Sequence, residues 1–304
     1  MASAQILANQ IDAELKVAWV PQVAAPAQEK IIFNLADIDR NFISEEECQK
    51  MCGFLPNEIP RYLKTSSAGS GVRVVTLAGY DLGEQYFMQE LRSLINTQKG
   101  SQVIAISAGG RFSLETESRS SEWDSPTFQS DRFRWYSELK FHEKIESAIR
   151  GTASSEPYLG LHLRYSDRSH QTPSRRDINQ AVQKLACAAN IRRIFIASDS
   201  ATERERWSTK LKEHDFSVWW YDTTGGNRTQ ESGALGALID WRLLTMSKSL
   251  VYFKESSYGY EAAVATNNFS GSLGLEANRI VSLSVRGKDF ARNVMMAPKR
   301  RGWI

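Results

Sequence analysis

Cysteine is scarce in this chain of 304 residues, and Cys48, Cys52 and Cys187 make neither a disulfide framework nor a complete zinc set. Two lie four apart and the third is far away, a usage that fits a reducing compartment. Long apolar runs are missing too: nothing approaches the roughly eighteen residues of a membrane-spanning helix. Met1-Ala-Ser-Ala-Gln5 lacks the basic start and apolar stretch of a signal peptide. The chain therefore reads as cytoplasmic, with no membrane span. The sequons Asn227-Arg-Thr229 and Asn268-Phe-Ser270 matter only in a secretory lumen and carry no weight. No Gly-x-Gly-x-x-Gly follows a strand-like run, and no Walker Gly-Lys-Ser/Thr or Gly-x-Ser-x-Gly elbow is present. These absences argue against dinucleotide oxidoreductases, P-loop NTPases and elbow hydrolases. An excess of one charge is also lacking. Lys and Arg number 38 against 35 Asp and Glu, a net +3 too small to mark a nucleic-acid surface. The terminal run Lys299-Arg300-Arg301 reads as a solvated tail.

What is present describes a soluble globular protein. With 41% hydrophobic and 24% charged residues the chain can bury a real core. Its length exceeds one typical domain, so two α/β domains are expected, 1–150 and 151–304. The second half alternates strand-like runs with amphipathic segments, the pattern of a parallel sheet covered by helices. Strands are expected at Tyr158–Arg164, Arg193–Asp199, Ser217–Asp222, Ser249–Phe253 and Arg279–Val285. Helices are expected at Arg175–Ala189, where Ile178, Val182 and Leu185 share a face, at Ser200–Lys212, at about Ser232–Ser247, and after Ser256.

The first half has the same grammar in rougher form. Strands are expected at Leu15–Val20, Val72–Leu77 and Gln102–Ser107, with a helix from about Leu82 to Ile95. Cys48 and Cys52 fall on a helix. A Gly- and Ser-rich surface loop fills 107–125, and one helix from about Arg132 to Arg150 leads into the second domain. The opening residues also read as helix, with Ile6, Leu7 and Ile11 on one side. A helix at that place normally follows a strand, so a βαβ unit would lack its first strand.

The chemistry-bearing residues cluster in the second half. Tyr158-Leu-Gly-Leu-His162-Leu-Arg164 is a strand whose C-terminal end, in an open parallel sheet, is where ligands bind. A planar guanidinium there takes two phosphate oxygens at once. His162 points to the side of Arg164, because side chains alternate along a strand. An isolated His-x-Arg is more often a core histidine beside a surface ion-pair partner; the strand-end position turns that balance. Asp199, ending Ile194-Phe-Ile-Ala-Ser-Asp199, faces the same crevice or caps the next helix. Ser256 and Ser257 open a helix after the Ser249 strand, either an anion site or an ordinary N-cap. Asp240 begins an apolar helix face, where a buried carboxylate would need a partner. Asp37-Ile-Asp39 has the spacing of a divalent-ion site on nucleotide sugars but follows no strong strand, and reads as loop.

Over roughly 130–265 the ordered set resembles the fucosyltransferase superfamily of nodulation fucosyltransferases, α1,6-fucosyltransferases and protein O-fucosyltransferases. His162-Leu-Arg164 through Asp167 is similar to that superfamily's His-x-Arg string. Ile194 to Asp199 matches its apolar strand ending in Ala-Ser/Thr-Asp. Asp240, Leu250-Val251 and Ser256-Ser257 match its Asp-led helix, strand and Ser-Ser pair. Trp135-Tyr-Ser-Glu-Leu-Lys140 is similar to the helix that precedes the first of these motifs.

The resemblance implies a GT-B fold, two Rossmann-like domains facing a cleft. The acceptor side would lie in 1–150, beginning after a missing first strand, and nucleotide-sugar binding in 151–304. It implies a glycosyltransferase that uses GDP-fucose or a related nucleotide sugar and a glycan or protein acceptor, with no metal or other cofactor. Arg164 would be catalytic at the β-phosphate, His162 and Asp240 would face the guanine or ribose, and Asp199, Ser256 and Ser257 would complete the donor site. Asp167 and Arg168 are the acceptor-side candidates. Where some members carry a second arginine this chain has Tyr165, and the general base stays unassigned. The alternatives are a non-catalytic glycan- or nucleotide-binding module and a different Rossmann-like nucleotide enzyme, the latter disfavoured by the absent glycine fingerprints.

Overall fold

The computed structural model describes residues 2–19, 27–34, 41–53, 65–68, 72–77, 89, 91–93, 95–96, 103–108, 126–153, 155–165, 172–222, 230–266 and 268–277. Contacts divide the chain into two compact units, Met1–Ser147 with Gly225–Leu235, and Ala148–Thr224 with Gly236–Ile304.

In the first unit the elements are α1 (Ala2–Gln10), β1 (Val17–Ala18), α2 (Glu29–Ile32), β2 (Phe42–Ile43), α3 (Glu45–Cys52), β3 (Thr65–Ala68), β4 (Val72–Leu77), β5 (Val103–Ala108) and α4 (Pro126–Glu138). β1 and β2 pair in parallel, and β3-β4-β5 form a second sheet with β4 parallel to β5. The alternation of β5 explains how helices cover both faces of that strand. Ile104 and Ile106 pack with Leu7 of α1 and Leu91, while Val103 and Ala105 pack with Cys48 and Cys52 of α3. A capping box starts α3: Ser44 receives the Glu47 N–H and the Glu47 carboxylate receives the Ser44 N–H. Gly53, left-handed at φ 79°, ends it. Burial pushes the Cys48 thiol up to about 11 and raises that of Cys52.

One correction concerns 132–150, expected as a single helix. It is two, α4 and then α5 (Glu143–Thr152), broken at 139–142. The buried Phe141 forms an antiparallel bridge with Phe33. The backbone bonds Asn34 N–H to Lys140 O and His142 N–H to Ile32 O flank that bridge. Tertiary pairing thus takes the backbone groups that a continuous helix would have used, a competition that helical periodicity does not reveal. The helix expected at 82–95 is described only in part, with Leu91 to Ser93 helical. The loop at 109–125 and Asp37 and Asp39 lie outside the described residues.

The second unit carries the sheet on which the site stands. Its elements after α5 are β6 (Leu159–Leu163), α6 (Arg175–Ala189), β7 (Arg193–Ser198), α7 (Ala201–Lys212), β8 (Ser217–Trp219), α8 (Glu231–Thr245, which begins in the first unit's share of the chain), β9 (Ser249–Phe253), α9 (Ser257–Ala265) and β10 (Leu273–Leu275). The five strands are all parallel in the order β10-β9-β6-β7-β8. β6 and β9 are buried at every position, as central strands covered on both faces must be. The expected strand at 279–285 lies outside the described residues. The outer strand beside β9 is Leu273–Leu275, too short and too glycine-centred to stand out in the sequence.

Each face of this sheet has its own layer. Leu159, Leu161 and Leu163 join Ile194, Ile196, Val251 and Phe253 beneath Ile178 and Val182 of α6 and Trp207 and Leu211 of α7. The opposite face carries Tyr158, Gly160 and His162 against α8 and α9. A Cβ on Gly160 would come within 2.9 Å of Leu250 and Ser247 and 3.1 Å of Leu244, so the absent side chain is what lets the end of α8 and the turn after it approach. The Tyr158 hydroxyl, its ionisation pushed far up by burial, donates to the Leu243 carbonyl at 2.6 Å.

Candidate functional site

Three adjacent strands, β9, β6 and β7, bring their C-terminal ends together, and His162, Arg164, Asp199, Ser256 and Ser257 stand at or just after those ends. His162 is the last but one residue of β6, opposite Ala197 of β7, and Leu163 pairs with Ser198. Asp199 therefore lies beside Arg164 where both strands end. The Asp199 carboxylate accepts the Tyr165 backbone N–H at 2.7 Å. It does not cap α7; Ser200 does that, accepting the Glu203 N–H. Of the two expectations for Asp199, the cap falls to its neighbour Ser200, while its own carboxylate sits just past the end of β7 on the Tyr165 N–H.

Tyr165 turns the opposite way from His162. Its ring lies edge-on to Phe253, and its hydroxyl accepts the indole N–H of the buried Trp207 at 3.1 Å. Burial raises its ionisation, opposed in part by the Trp207 bond. Arg164, half-buried, is the first residue beyond β6, between the buried Leu163 and the anchored Tyr165. Tyr165 is thus an anchor of the core.

His162 is buried, with 2% of its surface exposed. The Tyr258 ring lies over it, 5.1 Å between centroids at a 33° tilt, and Phe253 meets it edge-on at 6.1 Å. The Tyr258 hydroxyl is held in turn by the Ala237 carbonyl of α8 at 2.5 Å. Gly259 completes the enclosure, since a Cβ there would sit 2.6 Å from Nδ1. Asp240, also buried, lies on α8 three residues after Ala237, in the layer that covers this face.

Ser256 is the N-cap of α9, its hydroxyl accepting the Gly259 N–H, and is buried; Ser257, the first helical residue, is exposed. Such a terminus leaves its first N–H groups without intrahelical acceptors and favours anions. Asp167 and Arg168 lie outside the described residues. Among the described residues no three His, Cys, Asp or Glu side chains gather so as to hold a metal ion, and no helix is long and apolar enough to cross a membrane. Tyr258 and Gly259 escaped the sequence reading. The signal was a glycine in the first turn of a helix, which marks a close approach.

The fold has solved counterparts. The fold is similar to that of the solved structure of NodZ α-1,6-fucosyltransferase soaked with GDP-fucose, with a TM-score of 0.53 and 16% identity over 87% of this chain and 86% of that one. Fucosyltransferase NodZ from Bradyrhizobium matches with a TM-score of 0.52 and 16% identity over 86% of each chain. POFUT1 in complex with GDP-fucose matches with a TM-score of 0.50 and 10% identity over 87% and 89%. No family model matches the chain, and no curated protein matches its sequence. The resemblance carried by the ordered motifs is thus met at the level of fold: α/β and GT-B-like, the fold of the fucosyltransferases NodZ and POFUT1.

Proposed function

We propose that this chain, with the fold of the solved fucosyltransferases, is itself a glycosyltransferase that moves fucose from GDP-fucose to a glycan or protein acceptor, without a metal and in a cytoplasmic setting. The observation that carries the reading is the convergence of His162-x-Arg164, Asp199 and the Ser256-capped start of α9 at the ends of three neighbouring parallel strands. Composition alone would not bring these residue types to one sheet edge. Residues 151–304 are the donor-binding part in this reading, and 1–150 the acceptor side.

Arg164 would take the β-phosphate with its planar fork. As the bond from the sugar to the diphosphate breaks, negative charge gathers on the leaving GDP while the fucosyl carbon becomes positive. A guanidinium fixed at the leaving oxygens lowers that barrier, as a divalent ion does elsewhere. The N–H groups at the start of α9, around Ser257, add partial positive charge along the helix axis. His162, enclosed by Tyr258, Phe253 and Gly259, and Asp240 on α8 would face the guanine or ribose, where a rigid buried environment favours selection of one base.

Calorimetry with GDP, UDP and ADP on the wild type and on Arg164→Ala tests this directly. The expected outcome is GDP-selective binding, weakened about 10- to 100-fold by Arg164→Ala, the range for losing a charge-assisted phosphate contact. GDP affinity untouched by Arg164→Ala refutes the phosphate assignment. Hydrolysis or transfer of the GDP-fucose sugar then separates an enzyme from a nucleotide-binding module.

A further inference from the structure

The chain leaving β6 must hold Arg164 steady although the strand has just ended. Two anchors act on the next residue. The Tyr165 side chain is fastened in the α6/α7 layer by Trp207 and Phe253. Its backbone N–H is fastened by the Asp199 carboxylate at 2.7 Å, from the end of the neighbouring strand. A carboxylate receiving a backbone N–H makes a bond roughly twice as strong as a neutral one. That N–H belongs to the Arg164–Tyr165 peptide, so the bond fixes the orientation of the plane that carries the Arg164 Cα. A carboxylate is also a poor direct partner for a diphosphate, because it has no proton to donate and repels the charge.

We infer that Asp199 is a positioning residue: it holds the Arg164–Tyr165 peptide, and so presents the Arg164 guanidinium to the donor phosphates, rather than touching the nucleotide. The inference rests on the reading of Arg164 as the phosphate-binding residue. It extends that reading by assigning Asp199, whose type alone suggests a ribose or base contact, a role that works entirely through its neighbour.

A double-mutant cycle decides between the two roles. Dissociation constants for GDP and for guanosine are measured on the wild type, Asp199→Ala, Asp199→Asn, Arg164→Ala and the Asp199→Ala/Arg164→Ala pair, with thermal unfolding of each as a check on folding. Asp199→Ala is expected to weaken GDP about 10-fold. Asp199→Asn keeps an acceptor oxygen at the same place and is expected to stay within about 3-fold of the wild type. In the Arg164→Ala background Asp199→Ala is expected to change GDP affinity by less than about 2-fold, since coupled residues are not additive. Guanosine, having no phosphate, is expected to bind all five proteins alike. An equal loss of GDP affinity in both backgrounds, or a loss of guanosine affinity in Asp199→Ala, overturns the inference and makes Asp199 a nucleotide contact.

A wild type that does not bind GDP overturns the donor reading instead. The anchor is then read by hydrogen exchange at the Tyr165 amide. Faster exchange in Asp199→Ala that Asp199→Asn restores supports it, and unchanged exchange in Asp199→Ala overturns it.

Discussion

Gly259→Ala sets two effects of opposite sign against each other at one atom. In an ordinary helix interior the change stabilises by up to about 1 kcal/mol, because alanine has less backbone freedom to lose. Here the added Cβ would lie 2.6 Å from His162 Nδ1 and 3.0 Å from the Tyr252 Cβ, well inside ordinary contact, which begins near 3.4 Å. Neither neighbour can swing aside. The imidazole is held between Tyr258 and Phe253, and a Cβ moves only with its backbone. Overpacking of this kind costs about 1–3 kcal/mol, and the stiffness of both neighbours places this case toward the upper end. The net loss is then about 1–2 kcal/mol, a fall in the unfolding midpoint of roughly 2–8 °C. Gly151→Ala is the matched control, since a Cβ there meets nothing within 4 Å. Thermal or urea unfolding of the two variants reads the difference, with Gly259→Ala below the wild type and Gly151→Ala at or above it. If Gly259→Ala unfolds at or above the wild-type midpoint, the tight seat of α9 on His162 is refuted.

Two further outcomes follow from groups that lie away from the donor residues. Tyr158→Phe leaves the Leu243 carbonyl without its 2.6 Å hydroxyl donor in a buried place and is expected to cost about 1–3 kcal/mol in urea unfolding; an unchanged midpoint would show that the bond contributes nothing. Burial raises Cys48 from its ordinary 9 to about 11 and Cys52 in the same direction, whereas Cys187 is exposed. At pH 8 a thiol reagent should therefore modify one equivalent quickly in the native protein and all three only after unfolding. Since the folded pKa of Cys48 is the higher one, its contribution to stability is complete below about pH 9 and is lost as the pH rises toward 11. A fast reaction of all three thiols in the native state at pH 8 would contradict the burial of α3 against β5.

Much of the second unit was legible because its signals are local. β9 and α6 begin and end where expected, since a short continuous apolar run and a serine cap are each written within a few residues. The order His162-x-Arg164, Asp199, Asp240, Ser256-Ser257 likewise survives in the linear chain, and it was enough to indicate a fold that 10% to 16% identity alone would not. What the linear chain could not contain are decisions made between distant segments. The break at 139–142 exists because Phe33 pairs with Phe141, and periodicity around residue 140 carries no trace of residue 33. Asp199 could line the crevice or cap a helix by residue type. Only the parallel register of β6 and β7, setting Leu163 beside Ser198, puts its carboxylate on the Tyr165 N–H. The sequence by itself determined the α/β class, the central strands and the set of polar residues at their ends, because propensity and periodicity are properties of neighbours. The tertiary structure decided which partners those residues take, the Tyr165 N–H for Asp199 and the Gly259 N–H for Ser256, because that depends on how the chain brings strand and helix ends together.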